Sequence, residues 1–371
     1  MGNWFSKAKA EVEERFILSI DGGGIRGLVP SVILSRLASG LKERGDARPL
    51  YAHFDLIAGT STGALLALGL SLPVSGVKRE EGGPVDVHRR IRTGLFRHSD
   101  VVVGQIERAS DPAAFTDLYL DNAKRIFSRS GRLFGQVFGD KYDASSLEDF
   151  LMRSYGEARL SDCLVPTMAV SYDSISGSGL VLSSWNGWKD MLAAQAARAS
   201  CAAPLYFPAF TTLSPDGTSV ALLDGGLVAN NPALMAYSEL KAMHPECAKV
   251  HILSLSTARG VYRFDPKEVL SGVAGWAEPL MKTYPNAQMD LIGQTLAKLP
   301  DVDYVRIDGE LTKEKIKLDD TRKESMDKLI EGGERIYEAN KDRLSAFLDR
   351  LASRTVLDSV RLTGPRSLPQ A

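Results

Sequence analysis

An α/β fold built on a mostly parallel sheet is the class this chain of 371 residues predicts. Three observations lead there. Apolar runs of strand length alternate with helix-forming stretches, as in sheets covered on both faces. Two of the runs, Phe16-Ile17-Leu18-Ser19-Ile20 and Phe54-Asp55-Leu56-Ile57-Ala58, pass directly into glycine-rich turns and then into helical sequence. A third, Ala221-Leu222-Leu223, ends in Asp224-Gly225-Gly226. Open sheets of this class put their sites beyond the carboxyl ends of parallel strands, so these three turns are where chemistry belongs.

The first strand feeds Asp21-Gly22-Gly23-Gly24-Ile25-Arg26-Gly27. Consecutive glycines leave backbone N–H groups bare of side chains, and a helix expected from about Val29 through Leu37 aims its positive end at the same spot. An anion belongs there, and two guests fit. Gly22, Gly24 and Gly27 satisfy the G-x-G-x-x-G dinucleotide pattern, which would make the chain an NAD-dependent oxidoreductase. The same N–H groups would equally hold the oxyanion formed when a nucleophile attacks an ester.

The second strand supplies a nucleophile. It runs into Gly59-Thr60-Ser61-Thr62-Gly63 and then Ala64-Leu65-Leu66-Ala67-Leu68, which is G-x-S-x-G in the strand–turn–helix setting of a nucleophile elbow. So sharp a turn crowds the positions two residues either side of the serine, hence glycine at both.

Ser61 needs a base. Five histidines are present, and none has a persuasive setting. His251 sits inside a strand-like run, and His244 precedes a proline in a polar link. His53 lies at the far end of the elbow strand, and His88 and His98 stand in an arginine-rich stretch. Asp224 is the better candidate. It is expected at the carboxyl end of a parallel strand, on the edge that the elbow occupies, with Leu222 and Leu223 beside it to raise the carboxyl pKa toward a useful basicity. Asn230-Asn231-Pro232 then opens a helix.

In this order, D-G-G-G-x-R-G, G-x-S-x-G and D-G-G resemble the patatin-like phospholipase family, which is similar in fold to the catalytic domain of cytosolic phospholipase A2. Ala197-Arg198-Ala199-Ser200-Cys201-Ala202-Ala203-Pro204, with Tyr206-Phe207-Pro208 behind it, is similar to the family's segment of small residues before a proline. The resemblance covers roughly residues 16–257. It implies a three-layer fold and a lipid acyl hydrolase of phospholipase A or lysophospholipase type, working through a Ser–Asp dyad with no cofactor or metal. Ser61 is then the nucleophile and Asp224 the general base and acid. Gly22, Gly23 and Gly24 form the oxyanion hole, completed by Arg26 and Gly27. Gly59 and Gly63 shape the elbow, and Gly225 and Gly226 follow the base.

Composition agrees. A 44% hydrophobic content provides for a large core, and a formal net charge of −1 argues against a nucleic-acid partner. Three scattered cysteines, Cys163, Cys201 and Cys247, speak for a reducing compartment. No secretory signal is read at the N-terminus, so the expected location is cytoplasmic, at the inner membrane surface. The uncharged stretch 56–77 is long enough to span a bilayer, but its glycines, serines and proline fit a buried helix beneath the site better.

The expected organisation is an N-terminal helical segment (1–15), a catalytic domain (16–310) and a helical C-terminal appendage (311–371). Met1-Gly2-Asn3-Trp4-Phe5-Ser6 matches the myristoylation pattern. Trp4, Phe5, Ala8 and Val12 make one face of a short helix for docking on the protein body, a partner subunit or a membrane. Residues 78–141 read as an inserted lid of helices and loops, punctuated by Arg89-Arg90-Ile91-Arg92. The appendage repeats apolar residues at helical spacing and would pack on the core or across a homodimer. Membrane lipid is the expected substrate and peripheral membrane contact the expected mode. Some bacterial members of the family are antiviral effectors switched on by cyclic nucleotides, and the arginine cluster would suit such an activator.

Overall fold

The computed structural model describes residues 13–73, 77–92, 98–128, 140–258, 272–311, 316–354 and 362–363. The first half lays down β1 (Glu14–Ile20), α1 (Leu28–Glu43), β2 (Leu56–Thr60) and α2 (Thr62–Ser71). A hairpin of β3 (Val85–Arg92) and β4 (His98–Ile106) follows, then α3 (Ala114–Ile126) and α4 (Ser145–Tyr155). Next come β5 (Thr167–Asp173), β6 (Ser178–Ser183), α5 (Ala193–Ser200), β7 (Phe210–Leu213), β8 (Ser219–Asp224), a short α6 (Gly226–Ala229) and α7 (Ala233–Met243). The remainder is β9 (Lys249–Leu255), α8 (Gly272–Leu296), β10 (Val302–Ile307), α9 (Lys323–Ala339), α10 (Lys341–Ser353) and β11 (Leu362–Thr363).

One sheet runs β10-β9-β1-β2-β5-β8-β7, with β6 also on β5. β10, β9, β1, β2 and β5 are mutually parallel, so their carboxyl ends share one edge. Alternate residues build two cores, as the two-residue period of a strand requires. Phe16, Leu18, Ile20 and Ile57 point to one face, into a core completed by helices that include α1, α2 and α5. Ile17, Leu56, Ala58, Met168 and Val170 point to the other, against α7 and the end of α8. The result is three layers, with a mostly parallel sheet in the middle.

The C-terminal helices lie on the core. Leu329 and Ile336 of α9 and Leu344, Phe347, Leu348 and Leu351 of α10 are buried in the same cluster as α1. Gly333 is where α9 meets α1: a Cβ there would stand 3.0 Å from Val32 Cβ and 3.1 Å from the Val29 carbonyl. The 78–141 insertion differs from expectation, for Arg89-Arg90-Ile91-Arg92 falls on β3 of an antiparallel hairpin instead of helix or loop. β11 pairs with β4 of that hairpin, which becomes the middle of three strands. The stretch 56–77 contributes β2 and the ten-residue α2, nearly all of it buried. No helix among the described residues is long and apolar enough to cross a membrane. The N-terminal pattern around Trp4 and Phe5 lies outside the described residues.

Candidate active site

Ser61 sits at φ 54°, ψ −122°, a backbone conformation that costs a non-glycine residue energy and is held only where the surroundings insist. They do. A Cβ on Gly59 would lie 2.2 Å from the Gly63 carbonyl oxygen, and one on Gly63 would lie 2.1 Å from that of Ile20. Both positions therefore exclude any side chain, as the elbow reading requires. From the α5 side, Ser200 Oγ accepts the Ser61 N–H at 2.8 Å and donates to the Val170 carbonyl at 2.6 Å. The segment 197–204, whose side chains are small but for Arg198, lets α5 approach this closely.

Asp224 reaches Ser61 from the opposite direction to the one expected. β8 is antiparallel to β5, so Asp224 does not end a parallel strand. β6 occupies one edge of β5 along residues 168–173. On the other edge, β2 pairs with residues 167–170 and β8 with residues 171–173. β2 and β8 thus run head to head along one side of β5, and their carboxyl ends abut: Thr60 opposite Val170, Asp224 opposite Ser171. The next residue of β2's chain is Ser61. Its Oγ donates to Asp224 Oδ2 at 2.6 Å.

Asp224 is only 7% exposed. Its other oxygen accepts the Gly226 N–H at 2.7 Å, and its own N–H donates to the Ala202 carbonyl at 2.9 Å. Burial pushes the carboxyl up to about 6, against the lowering effect of the Ser61 and Gly226 hydrogen bonds. A carboxylate with that pKa still ionises at neutral pH and would accept a hydroxyl proton more readily than an exposed aspartate. Gly225 makes the turn sterically feasible, since a Cβ there would stand 2.3 Å from the Val170 carbonyl oxygen. Cys201 is buried beside the pair, and desolvation raises its thiol far from ionisation.

The glycine loop lies next to this pair. A Cβ on Gly22 would stand 3.4 Å from Ser61 Cβ and 2.5 Å from Asn230 Oδ1. The Gly22 N–H is taken by the Asn230 carbonyl at 3.0 Å, so Gly22 contributes close approach and no donor. The N–H groups of Gly23 and Gly24 have no acceptor among the described residues. Gly24 has φ 57°, and its missing side chain makes room for the Leu318 carbonyl, which also accepts the Ile25 N–H at 2.8 Å. Arg26 is folded inward, with Nη1 on the Ala258 carbonyl at 3.4 Å and burial lowering its pKa. Gly27 faces Thr62 Oγ1 and the Tyr119 hydroxyl of α3, which are hydrogen-bonded to each other.

The dinucleotide alternative does not survive this geometry. Leu318 occupies the glycine loop and binds the Ile25 N–H at its helical end, where a pyrophosphate would have to lie. The described histidines also stand elsewhere. His53 Nδ1 faces the Leu351 carbonyl, His244 faces Glu246, and His251 bridges Glu14 and Asp303. The side chains of His88 and His98 lie outside the described residues. Sequence reading missed Ser200, Asn230 and Thr62. The last was detectable, because the N–H after an elbow nucleophile is a standard oxyanion donor, and the first turn of a helix leaves it without an acceptor of its own.

A family model of patatin-like phospholipases matches residues 18–237. Patatin-like protein 2 of Arabidopsis thaliana is 30% identical over 362 residues, covering 86% of this chain and 82% of its own. Patatin-15 of Solanum tuberosum is 28% identical over 386 residues, covering 93% and 90%. Among solved structures, VipD from Legionella pneumophila overlaps at a TM-score of 0.34 with 13% identity, covering 88% of this chain and 67% of that one. The chain belongs to the patatin-like phospholipase family, a membership that supports lipid acyl hydrolase activity.

Proposed function

We propose that this chain hydrolyses carboxylic esters of phospholipids or lysophospholipids through a Ser61–Asp224 dyad and an acyl-enzyme. The observation that carries the reading is the 2.6 Å hydrogen bond from Ser61 Oγ to Asp224 Oδ2, on a carboxylate whose pKa burial raises to about 6. Asp224 accepts the Ser61 proton as Oγ attacks the acyl carbon. The carbonyl oxygen becomes an oxyanion and turns toward the N–H groups of Gly23, Gly24 and Thr62. Collapse of the tetrahedral intermediate breaks the ester C–O bond, and Asp224 passes its proton to the leaving alcohol. Water, deprotonated by Asp224, then attacks the acyl-Ser61 ester and releases the fatty acid, with Ser61 regaining its proton.

Two measurements test this. Ser61 should label with a fluorophosphonate, and Ser61→Ala should lose both labelling and phospholipid hydrolysis while keeping its fold by circular dichroism. Full activity in Ser61→Ala would sink the dyad. Contact with the membrane surface follows from the substrate class and is read by vesicle co-sedimentation. Activation by a cyclic nucleotide rests on Arg89, Arg90 and Arg92, whose side chains lie outside the described residues. Hydrolysis unchanged by a panel of such nucleotides would remove that expectation.

A further inference from the structure

Asp21, first residue of the glycine motif, is fully buried where β1 gives way to the loop. Arg306 on β10 reaches across β9 to meet it. Nη1 donates to Asp21 Oδ1 at 2.7 Å and Nη2 to Oδ2, a two-point fork. Nη1 also donates to Ser254 Oγ on β9 at 2.8 Å, and Nε stands 3.8 Å from Asp308. The Asp21 backbone is fixed at both ends. Its N–H binds the Leu255 carbonyl at 3.0 Å, and its carbonyl lies against elbow residue Gly63. Arg306 itself lies past residue 237, where the family match ends.

A buried carboxylate adjoining N–H groups that receive negative charge opposes them. The opposition is felt as the oxyanion forms and hardly at all while a neutral ester carbonyl is bound, so it acts on kcat. We infer that Arg306 is a positioning residue for the hydrolysis. Through Asp21 it cancels the negative charge that adjoins the Gly23 and Gly24 N–H groups. The inference rests on the dyad reading above.

The test compares full-length Arg306→Met, Asp21→Asn and the double variant Asp21→Asn/Arg306→Met, with melting temperatures alongside. Arg306→Met removes the cation forked to the carboxylate and leaves Arg26 as the facing charge, and its kcat should fall by roughly ten- to a hundredfold with KM within about twofold. The double variant should regain most of that loss, although it lacks the fork equally. A merely structural pair gives the opposite pattern, with the double variant at least as impaired as Arg306→Met, and that result overturns the proposal. So does a kcat within about twofold of wild type for folded Arg306→Met. Should that variant fail to fold, Arg306→Gln, which keeps a hydrogen bond without the charge, is compared with its own Asp21→Asn double. Ser61→Ala in parallel separates the two readings. Activity surviving there defeats the dyad, whereas an inert Ser61→Ala beside a flat Arg306 series defeats this inference alone.

Discussion

At the scale of single residues, the proposed base Asp224 carries a stability cost that can be measured. The folded protein holds Asp224 at about 6 against 3.8 for an unperturbed aspartate. Between those values the folded chain binds a proton that the unfolded chain has released, so stability falls as pH rises through the window. Above it, the full cost of keeping a buried carboxylate charged is about 3 kcal/mol. Asp224→Asn should therefore melt higher than wild type at pH 7, with the gap closing toward pH 4, in paired thermal scans. The same substitution should cost at least about a thousandfold in kcat, since the proton has nowhere to go. For the wild-type enzyme, kcat/KM should drop with unit slope as pH falls through about 6, because protonated Asp224 cannot act as base. A pH profile flat down to pH 4.5 would contradict the assignment.

Elements show where local pattern sufficed and where it did not. The meeting of Ser61 with Asp224 beside the glycine turns was legible because G-x-S-x-G and D-G-G set residue types at fixed short spacings. The C-terminal helices were legible because Leu344, Phe347, Leu348 and Leu351 repeat at helical intervals. Strand direction left no such trace. Nothing within Val220-Ala221-Leu222-Leu223 says whether β8 runs with or against β5, since that depends on a partner some fifty residues away. Arg306, Asn230 and Ser200 were illegible for the same reason, each acting through a contact fixed only once the sheet has assembled. At the α1–α9 crossing, Gly333 is pressed onto Val29 and Val32. Gly333→Leu should force the helices apart and destabilise the protein by roughly 1–3 kcal/mol, read as a shift of the urea midpoint. An unchanged midpoint would mean that the helices can separate at little cost.

On the scale of the whole molecule, the start of β1 and the residue that follows α10 are tied at the sheet edge opposite the site. Asp55, just before β2, has no exposed side-chain surface. It accepts Arg15 Nη1 at 3.0 Å, the Phe16 N–H at 2.7 Å and Arg354 Nη2 at 3.0 Å. Arg354 follows α10 directly and also lies over the Phe16 ring, 4.1 Å from its centroid. This knot joins the strand that opens the sheet to the helices that close the fold. Removing the carboxylate takes the buried counter-ion from Arg354 and leaves Arg15 with only the more exposed Glu13, and Asp55→Ala should cost about 3–5 kcal/mol. Equilibrium unfolding measures it, and a loss below about 1 kcal/mol would reduce the knot to a surface-type contact.

The head-to-head meeting of β2 and β8 makes β5 a ruler. Its Val170 and Ser171 are consecutive, and each fixes the end of a different strand. One extra residue between them would slide the two strand ends apart by about 3.3 Å and turn one to the wrong face, while leaving every catalytic group in the sequence untouched. Substitutions along β5 that keep both its length and its buried side-chain volumes should be tolerated. A single insertion should be silent in composition and fatal in function, so the length of an inert strand belongs in any signature used to separate working members of this family from inactive ones.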